Sequence, residues 1–199
     1  MRRRSIPLFV ALLVFAAGAC TAALDSGGQP ATIAPATTTA ARAGIAVKGQ
    51  TRFAPPGLLP VARRKPAPAL GVTAFDGRPV SLAGLGGRPV VVSFFESWCG
   101  TCQAEQPDLT KVAGDFAGRV GFVGVSYRDT VAAGRAYQRR FKVPYPLAND
   151  ASGRTWARWR VPYQPVVVLV DQHGRIAERF DGGTTGGTLA AALAYLLGE

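Results

Sequence analysis

The sequence predicts an α/β domain over residues 66–199, built on a sheet that mixes parallel and antiparallel strands, with helices on both faces. Three observations predict it. Val90-Val91-Val92-Ser93-Phe94-Phe95 is a nearly continuous apolar run, the pattern of a strand buried on both faces. From Thr101 to about Phe116 the period becomes helical, with Leu109, Val112 and Phe116 at i, i+3 and i+7. Val166-Val167-Val168-Leu169-Val170 is then followed by the turn Asp171-Gln172-His173-Gly174 and by Arg175–Phe180. That short connection favours a hairpin over a crossover, so the two strands are expected to run antiparallel.

The remaining elements follow in order. Asp76-Gly77 marks a hairpin turn early in the domain. Pro107 falls inside the first helix and should kink it, because it lacks a donor and its ring clashes with the preceding turn. Val120 to Tyr127 reads as the next strand, where Gly121 and Gly124 permit close packing. Residues 130–141 read as a helix, and Thr188 to Leu197 as a closing one. Strand, helix, strand, helix, hairpin and helix give the layered arrangement. No internal repeat is visible.

The residues before the domain read as an address and a tether. The chain has 199 residues, 48% of them hydrophobic, and a formal net charge of +11. The charge is uneven: residues 1–65 carry nine Lys/Arg against Asp25 alone, a net of +8, and residues 66–199 carry only +3. Positive charge placed outside the folded part argues against a nucleic-acid binder. Arg2-Arg3-Arg4 precede an apolar run from Ile6 to Ala19 that ends in small residues. This is the layout of a secretory signal over residues 1–19, and the run is shorter than the roughly 20 residues of a spanning helix. Residues 20–65, rich in Ala, Thr, Gly and Pro, show no sustained periodicity and read as a flexible linker. Its basic end, Arg63-Arg64-Lys65, either leans on anionic lipid or is simply solvated.

Of the three cysteines, Cys99 and Cys102 form a CxxC and Cys20 closes the leader. Ala17-Gly18-Ala19-Cys20 is similar to a bacterial lipoprotein cleavage site, with Ala17 where Leu is preferred. Lipidation of Cys20 would anchor the protein stably to the outer face of the cell membrane. Ordinary cleavage would release it with a free thiol.

Cys99-Gly100-Thr101-Cys102 lies where a buried strand gives way to a helix. The first helical turn offers unpaired N–H groups and the positive end of the dipole, so a thiolate there is stabilised. Cys99, on the exposed side, is expected to attack, and Cys102, one turn inward, to resolve the mixed disulfide. Competing uses fit less well. A four-residue disulfide loop stabilises little. A zinc site needs a second CxxC or paired histidines, and His173 is the only histidine. A c-type haem site needs His where Gln103 stands. A peroxidase uses its peroxidatic cysteine in another motif. No cofactor or metal is expected.

The stretch Phe94-Phe95-Glu96-Ser97-Trp98-Cys99-Gly100-Thr101-Cys102-Gln103-Ala104-Glu105-Gln106-Pro107 resembles the active-site region of the thioredoxin superfamily, and more narrowly the exported TlpA/ResA/DsbE-type thiol–disulfide oxidoreductases. The resemblance covers about residues 66–199 and includes Asn149-Asp150 and Val161-Pro162-Tyr163-Gln164-Pro165. It implies a thioredoxin fold, a functional Trp98 before the first cysteine, and a cis-proline at Pro165 facing the cysteines. It further implies contact of Gln164, Pro165, Gly100 and Thr101 with substrate. Partners would be the thiols or disulfides of exported proteins and a membrane redox protein. Two departures stand out. Ser93 occupies the place of an Asp or Asn that could relay a proton, so Glu96 and Glu105 become candidates for that role, or else solvated surface acids. The dipeptide between the cysteines is Gly100-Thr101, which leaves the direction of electron flow open. Two other readings are a copper-handling lipoprotein, which wants Met or His beside the cysteines, and a redox-inactive adaptor.

Overall fold

Among the described residues, seven strands join in one sheet of order β2-β1-β5-β4-β3-β6-β7. The computed structural model describes residues 54–85 and 87–198, within a compact unit spanning Lys48–Glu199. The expected signal, Cys20 and the linker up to residue 53 lie outside the described residues. The strands are β1 (Gly71–Ala74), β2 (Pro79–Ser81), β3 (Val90–Phe94), β4 (Gly121–Ser126), β5 (Leu147–Asn149), β6 (Val166–Val170) and β7 (Ile176–Asp181). The helices are α1 (Gly100–Asp115), α2 (Val131–Arg140), α3 (Arg154–Arg158) and α4 (Gly186–Leu196). β3 pairs in parallel with β4 and antiparallel with β6, and every one of its five residues is buried.

Side-chain alternation along the central strands builds two cores. Val91, Val167 and Leu169 face α1, α2 and α4 through Leu109, Val112, Tyr137, Leu189 and Leu193. Val92, Phe94 and Val168 face the opposite side, where Trp156 and Trp159 cover them. The Phe94 ring meets Trp156 edge-on at 5.8 Å between centroids, a favoured aromatic geometry. Gly124 is required in β4, because a Cβ there would strike Leu147 and the Phe95 ring.

Most expected elements are present. The Asp76-Gly77 turn joins β1 to β2, with Gly77 at φ +94° and the Arg78 N–H bonded to Asp76 Oδ1 at 3.1 Å. Thr130 caps α2 by accepting from the Ala133 N–H at 3.1 Å. Pro107 lies within α1, which runs on unbroken to Asp115. The sequence pattern does not announce β5 or α3. They are three and five residues long, too short to show a period. α3 starts from Gly153 without a side-chain cap, and its Trp156 is held from outside, the indole Nε1–H donating to the Val125 carbonyl at 3.2 Å.

Residues 54–65, the described end of the expected linker, depart from the flexible tether expected of them. Leu58 is buried in the first core. The Leu59 N–H donates to the Ala177 carbonyl at 2.8 Å, the Ile176 N–H to the Lys65 carbonyl at 2.8 Å, and the Ala67 N–H to the Gly174 carbonyl at 2.9 Å. The segment thus covers the open edge of β7, a need that composition does not reveal. Arg64 is neither solvated nor available to lipid: its guanidinium is buried 3.3 Å from Asp171 Oδ2, and its Nε donates to the Leu59 carbonyl at 3.0 Å. Glu178 of β7 is buried beneath Gly57, where a Cβ would collide with its Oε1 and where φ is +96°. Its Oε2 has no hydrogen-bond partner among the described residues, and burial pushes its carboxyl up to about 7.

Candidate active site

The end of β3 delivers the chain to α1 through Phe95-Glu96-Ser97-Trp98, and Cys99 caps the helix. The Cys102 N–H donates to Cys99 Sγ at 3.2 Å, so charge that develops on this sulfur meets a donor at the positive end of the helix. Cys99 is half-buried, while Cys102, one turn further in, is only 2% exposed. Gly100 and Thr101 lie exposed between them. Burial pushes the Cys102 thiol far up, and its contact with Cys99 and the charges of Cys99 and Glu105 add to this. The two sulfurs are therefore unequal, one accessible and one sheltered.

Glu96 is a buried carboxyl at 1% exposure, not a surface acid. It accepts from Ser126 Oγ at 2.9 Å, the Tyr127 N–H at 3.1 Å and the Arg128 N–H at 3.0 Å. Asp129 answers from the other side, accepting from the Ser97 N–H at 2.8 Å and Ser97 Oγ at 2.6 Å. Each loop thus holds the other, and the cysteine loop is fixed on the β4–α2 loop. Burial raises the Glu96 carboxyl, its three donors oppose this, and Asp129 adds to it. The Glu105 charge raises Cys102, and a hydrogen bond with the Glu96 backbone lowers it. Glu105 is also buried, raised by burial and by Asp108, and it accepts from the Thr184 N–H at 2.5 Å.

The Gln164-Pro165 peptide is cis. Register places it beside the cysteine loop: Val166, directly after it, pairs with Phe94. The Pro165 carbonyl accepts from the Gly182 N–H at 2.9 Å. The Gly183 backbone passes between Pro165 and Glu105, where a Cβ would lie 3.2 Å from Pro165 Cγ and 3.0 Å from Glu105 Oε1. Glu96, Trp98 and Gln164 line one groove. Ser93 sits buried in β3 opposite Gly124 and Val167.

The sequence pattern gives little sign of a polar network under Cys102. The Tyr137 hydroxyl donates to the Cys102 carbonyl at 3.0 Å, and Gln106 Nε2 donates to the Tyr145 hydroxyl at 2.8 Å. Gln106 lies four residues after Cys102, hence on the same helix face, and that spacing is the one local signal. Asp129 and Arg128 give none, because their role depends on two loops meeting. Among the described residues no group of His, Cys, Asp and Glu is arranged to hold a metal. No described helix is long and apolar enough to cross a membrane.

This geometry has known counterparts. The chain is 37% identical over 102 residues to the soluble secreted antigen MPT53 of Mycobacterium tuberculosis, a match covering 51% of this chain and 58% of that protein. It is 25% identical over 122 residues to the thiol-disulfide oxidoreductase ResA of Bacillus cereus, covering 61% and 70% of the two chains. It is also similar in structure to a secreted Mycobacterium tuberculosis disulfide oxidoreductase homologous to E. coli DsbE. There the TM-score is 0.58 at 30% identity, over 63% of this chain and 95% of the other. The AhpC/TSA family matches residues 64–179, from the buried Arg64 through both cysteines and the cis-proline to β7. With a thioredoxin-fold sheet and a CxxC at the head of its first helix, the chain belongs to the AhpC/TSA family.

Proposed function

We propose that this protein is an extracytoplasmic thiol–disulfide oxidoreductase that exchanges disulfides with exported proteins through Cys99 and Cys102. The observation that carries the reading is the inequality of the two thiols at the head of α1. Cys99 Sγ attacks one sulfur of a substrate disulfide, forming a mixed disulfide and releasing the other sulfur as a thiolate, which takes a proton. Cys102 then gives up its proton, for which Glu105, buried three residues on along the same face of α1, is the acceptor, and attacks Cys99 Sγ. The second substrate sulfur leaves as a thiol, the substrate is reduced by two electrons, and the protein holds a Cys99–Cys102 disulfide. Run in reverse, the same steps oxidise a dithiol. Pro165 and Gln164 present the backbone edge beside the reacting sulfurs, and Trp98, Gly100 and Thr101 form the exposed surface around them.

Equilibration of the protein with glutathione tests this. Cys99 and Cys102 should interconvert between dithiol and disulfide, with a potential near about −120 mV for an oxidant or about −270 mV for a reductant. A pair that never equilibrates would leave a redox-inactive adaptor. The export pattern of residues 1–19 and the secreted relatives support work outside the cytoplasm. We place the anchor at Cys20: the mature N-terminus should carry the mass of its acyl chains, and an unmodified Cys20 would make the protein a secreted one.

A further inference from the structure

Five large apolar side chains are exposed among the described residues, and three of them, Trp98 (58%), Tyr127 (36%) and Tyr163 (50%), ring one groove. The groove has a volume of about 360 Å³, enough for one or two side chains. It runs from Trp98, next to Cys99, to Gln164, next to the cis-proline, with α3 as its far wall. An extended chain held with a sulfur at Cys99 would lay a neighbouring side chain into it.

Arg128 is the cation of this groove. Its guanidinium lies over the Tyr127 ring, 5.6 Å from the centroid. No carboxylate pairs with it among the described residues. Glu96 also lines the groove, but its buried carboxyl is bound to Ser126 Oγ and the backbone N–H groups of Tyr127 and Arg128, and among the described residues it forms no ion pair with the Arg128 guanidinium. The groove therefore offers flat aromatic surface and one planar donor without a carboxylate partner among the described residues, a combination that suits a carboxylate on a short apolar stem.

Building on the oxidoreductase reading, we infer that Arg128 is a specificity-determining residue, selecting substrates with an Asp or Glu next to the reacting cysteine. Stacking on Tyr127 pre-orders the guanidinium, so little side-chain entropy is lost when a carboxylate arrives. The aromatic rim partly desolvates the pair, which raises its worth above that of a fully exposed ion pair.

The test uses the full chain, returned to the dithiol after each cycle by glutathione with glutathione reductase and NADPH, and three peptide disulfides that differ only in the residue after the cysteine: Glu, Gln or Lys. Hydroxyethyl disulfide, which is small and uncharged, reads the exchange chemistry by itself. Wild-type protein should show a kcat/KM for the Glu peptide about three- to five-fold above that for the Lys peptide at low ionic strength, on the scale of a single partly screened ion pair. The ratio should shrink at high salt. Arg128→Gln should bring the ratio to about one, and Arg128→Glu should invert it. Because the reading is a ratio within each variant, a general loss of activity does not move it. Arg140→Glu, whose charge lies on the other side of Trp98, separates a local from a global effect. It should leave the preference in place, and an equal inversion there would assign the preference to the whole basic surface and overturn the proposal. Turnover of hydroxyethyl disulfide with equal rates for all three peptides sinks the specificity role alone. Failure to exchange in either direction, reduced protein with hydroxyethyl disulfide or oxidised protein with 2-mercaptoethanol, sinks the oxidoreductase reading beneath it.

Discussion

Cys102→Ser is expected to leave the protein covalently joined to its substrate through Cys99, whereas Cys99→Ser should lower disulfide exchange by about a thousandfold or more. The asymmetry follows from position. Cys99 is the accessible sulfur, with the Cys102 N–H aimed at it, so it can both attack and leave. Cys102 is sheltered, and its only reachable target is the sulfur one turn away. Without Cys102 nothing is placed to resolve the mixed disulfide, which then accumulates as a band on a non-reducing gel that dithiothreitol removes. Iodoacetamide should correspondingly modify Cys99 before Cys102 in the native protein. Glu105→Gln belongs to the same series: resolution should slow while alkylation of Cys99 stays as fast. If Cys99→Ser still turns over substrate, or Cys102→Ser captures none, the assignment of attacking and resolving sulfurs is wrong.

Asp171→Asn should cost the folded state about 3–5 kcal/mol, or roughly 10 °C in Tm by thermal circular dichroism. Asp171 ties together three things: the β6–β7 turn, through the His173 and Arg175 N–H groups at 2.9 Å each; Arg175 Nε at 3.1 Å; and the buried Arg64 guanidinium at 3.3 Å. Burial alone would raise its carboxyl, but the Arg175 N–H, the Arg64 guanidinium and the His173 N–H outweigh that and hold it below the ordinary range. Removing the charge strands Arg64 in the interior and loosens the segment that covers β7. Pairing Asp171→Asn with Arg64→Met should recover part of the loss, because an uncompensated buried cation costs more than no pair. A Tm change of less than about 2 °C would show that the bridge carries little.

The other end of the same segment has the opposite pH dependence. Asp171 has a depressed folded pKa, so its contribution is fully present above about pH 4, the unfolded value, and is lost as pH falls from there through the folded one. Glu178 has a raised one. Between about 4.5 and 7 the folded state binds more protons than the unfolded chain, and stability falls as pH rises. Glu178→Gln should remove that slope and gain on the order of 2 kcal/mol at pH 8 relative to wild type. Equal slopes in the two proteins would mean that Glu178 opens to solvent before it ionises.

Much of the domain is legible in the sequence, for a local reason. Val90–Phe94, interrupted only by Ser93, and Val166–Val170 are apolar because helices or indoles cover both of their faces, and that double burial is written as a nearly continuous run. The CxxC announces itself by its place between strand and helix, since a helix start is determined by neighbouring residues. The same holds for the Asp76-Gly77 turn. Pro165 is placed by resemblance rather than by its own chemistry, since a proline before a strand is compatible with either isomer.

What tertiary structure alone decided concerns residues whose partners are distant in the chain. Glu96 and Glu105 look alike as sequence, two acids flanking a CxxC. One is bound to residues about 30 positions on, and the other to a loop 79 residues on. Arg64 reads as part of a basic tether, yet its counter-ion is 107 residues away. Local pattern records which residues must be buried and where the backbone must turn. It does not record which carboxyl meets which donor, because a buried charge is tolerated only where the fold supplies its partner.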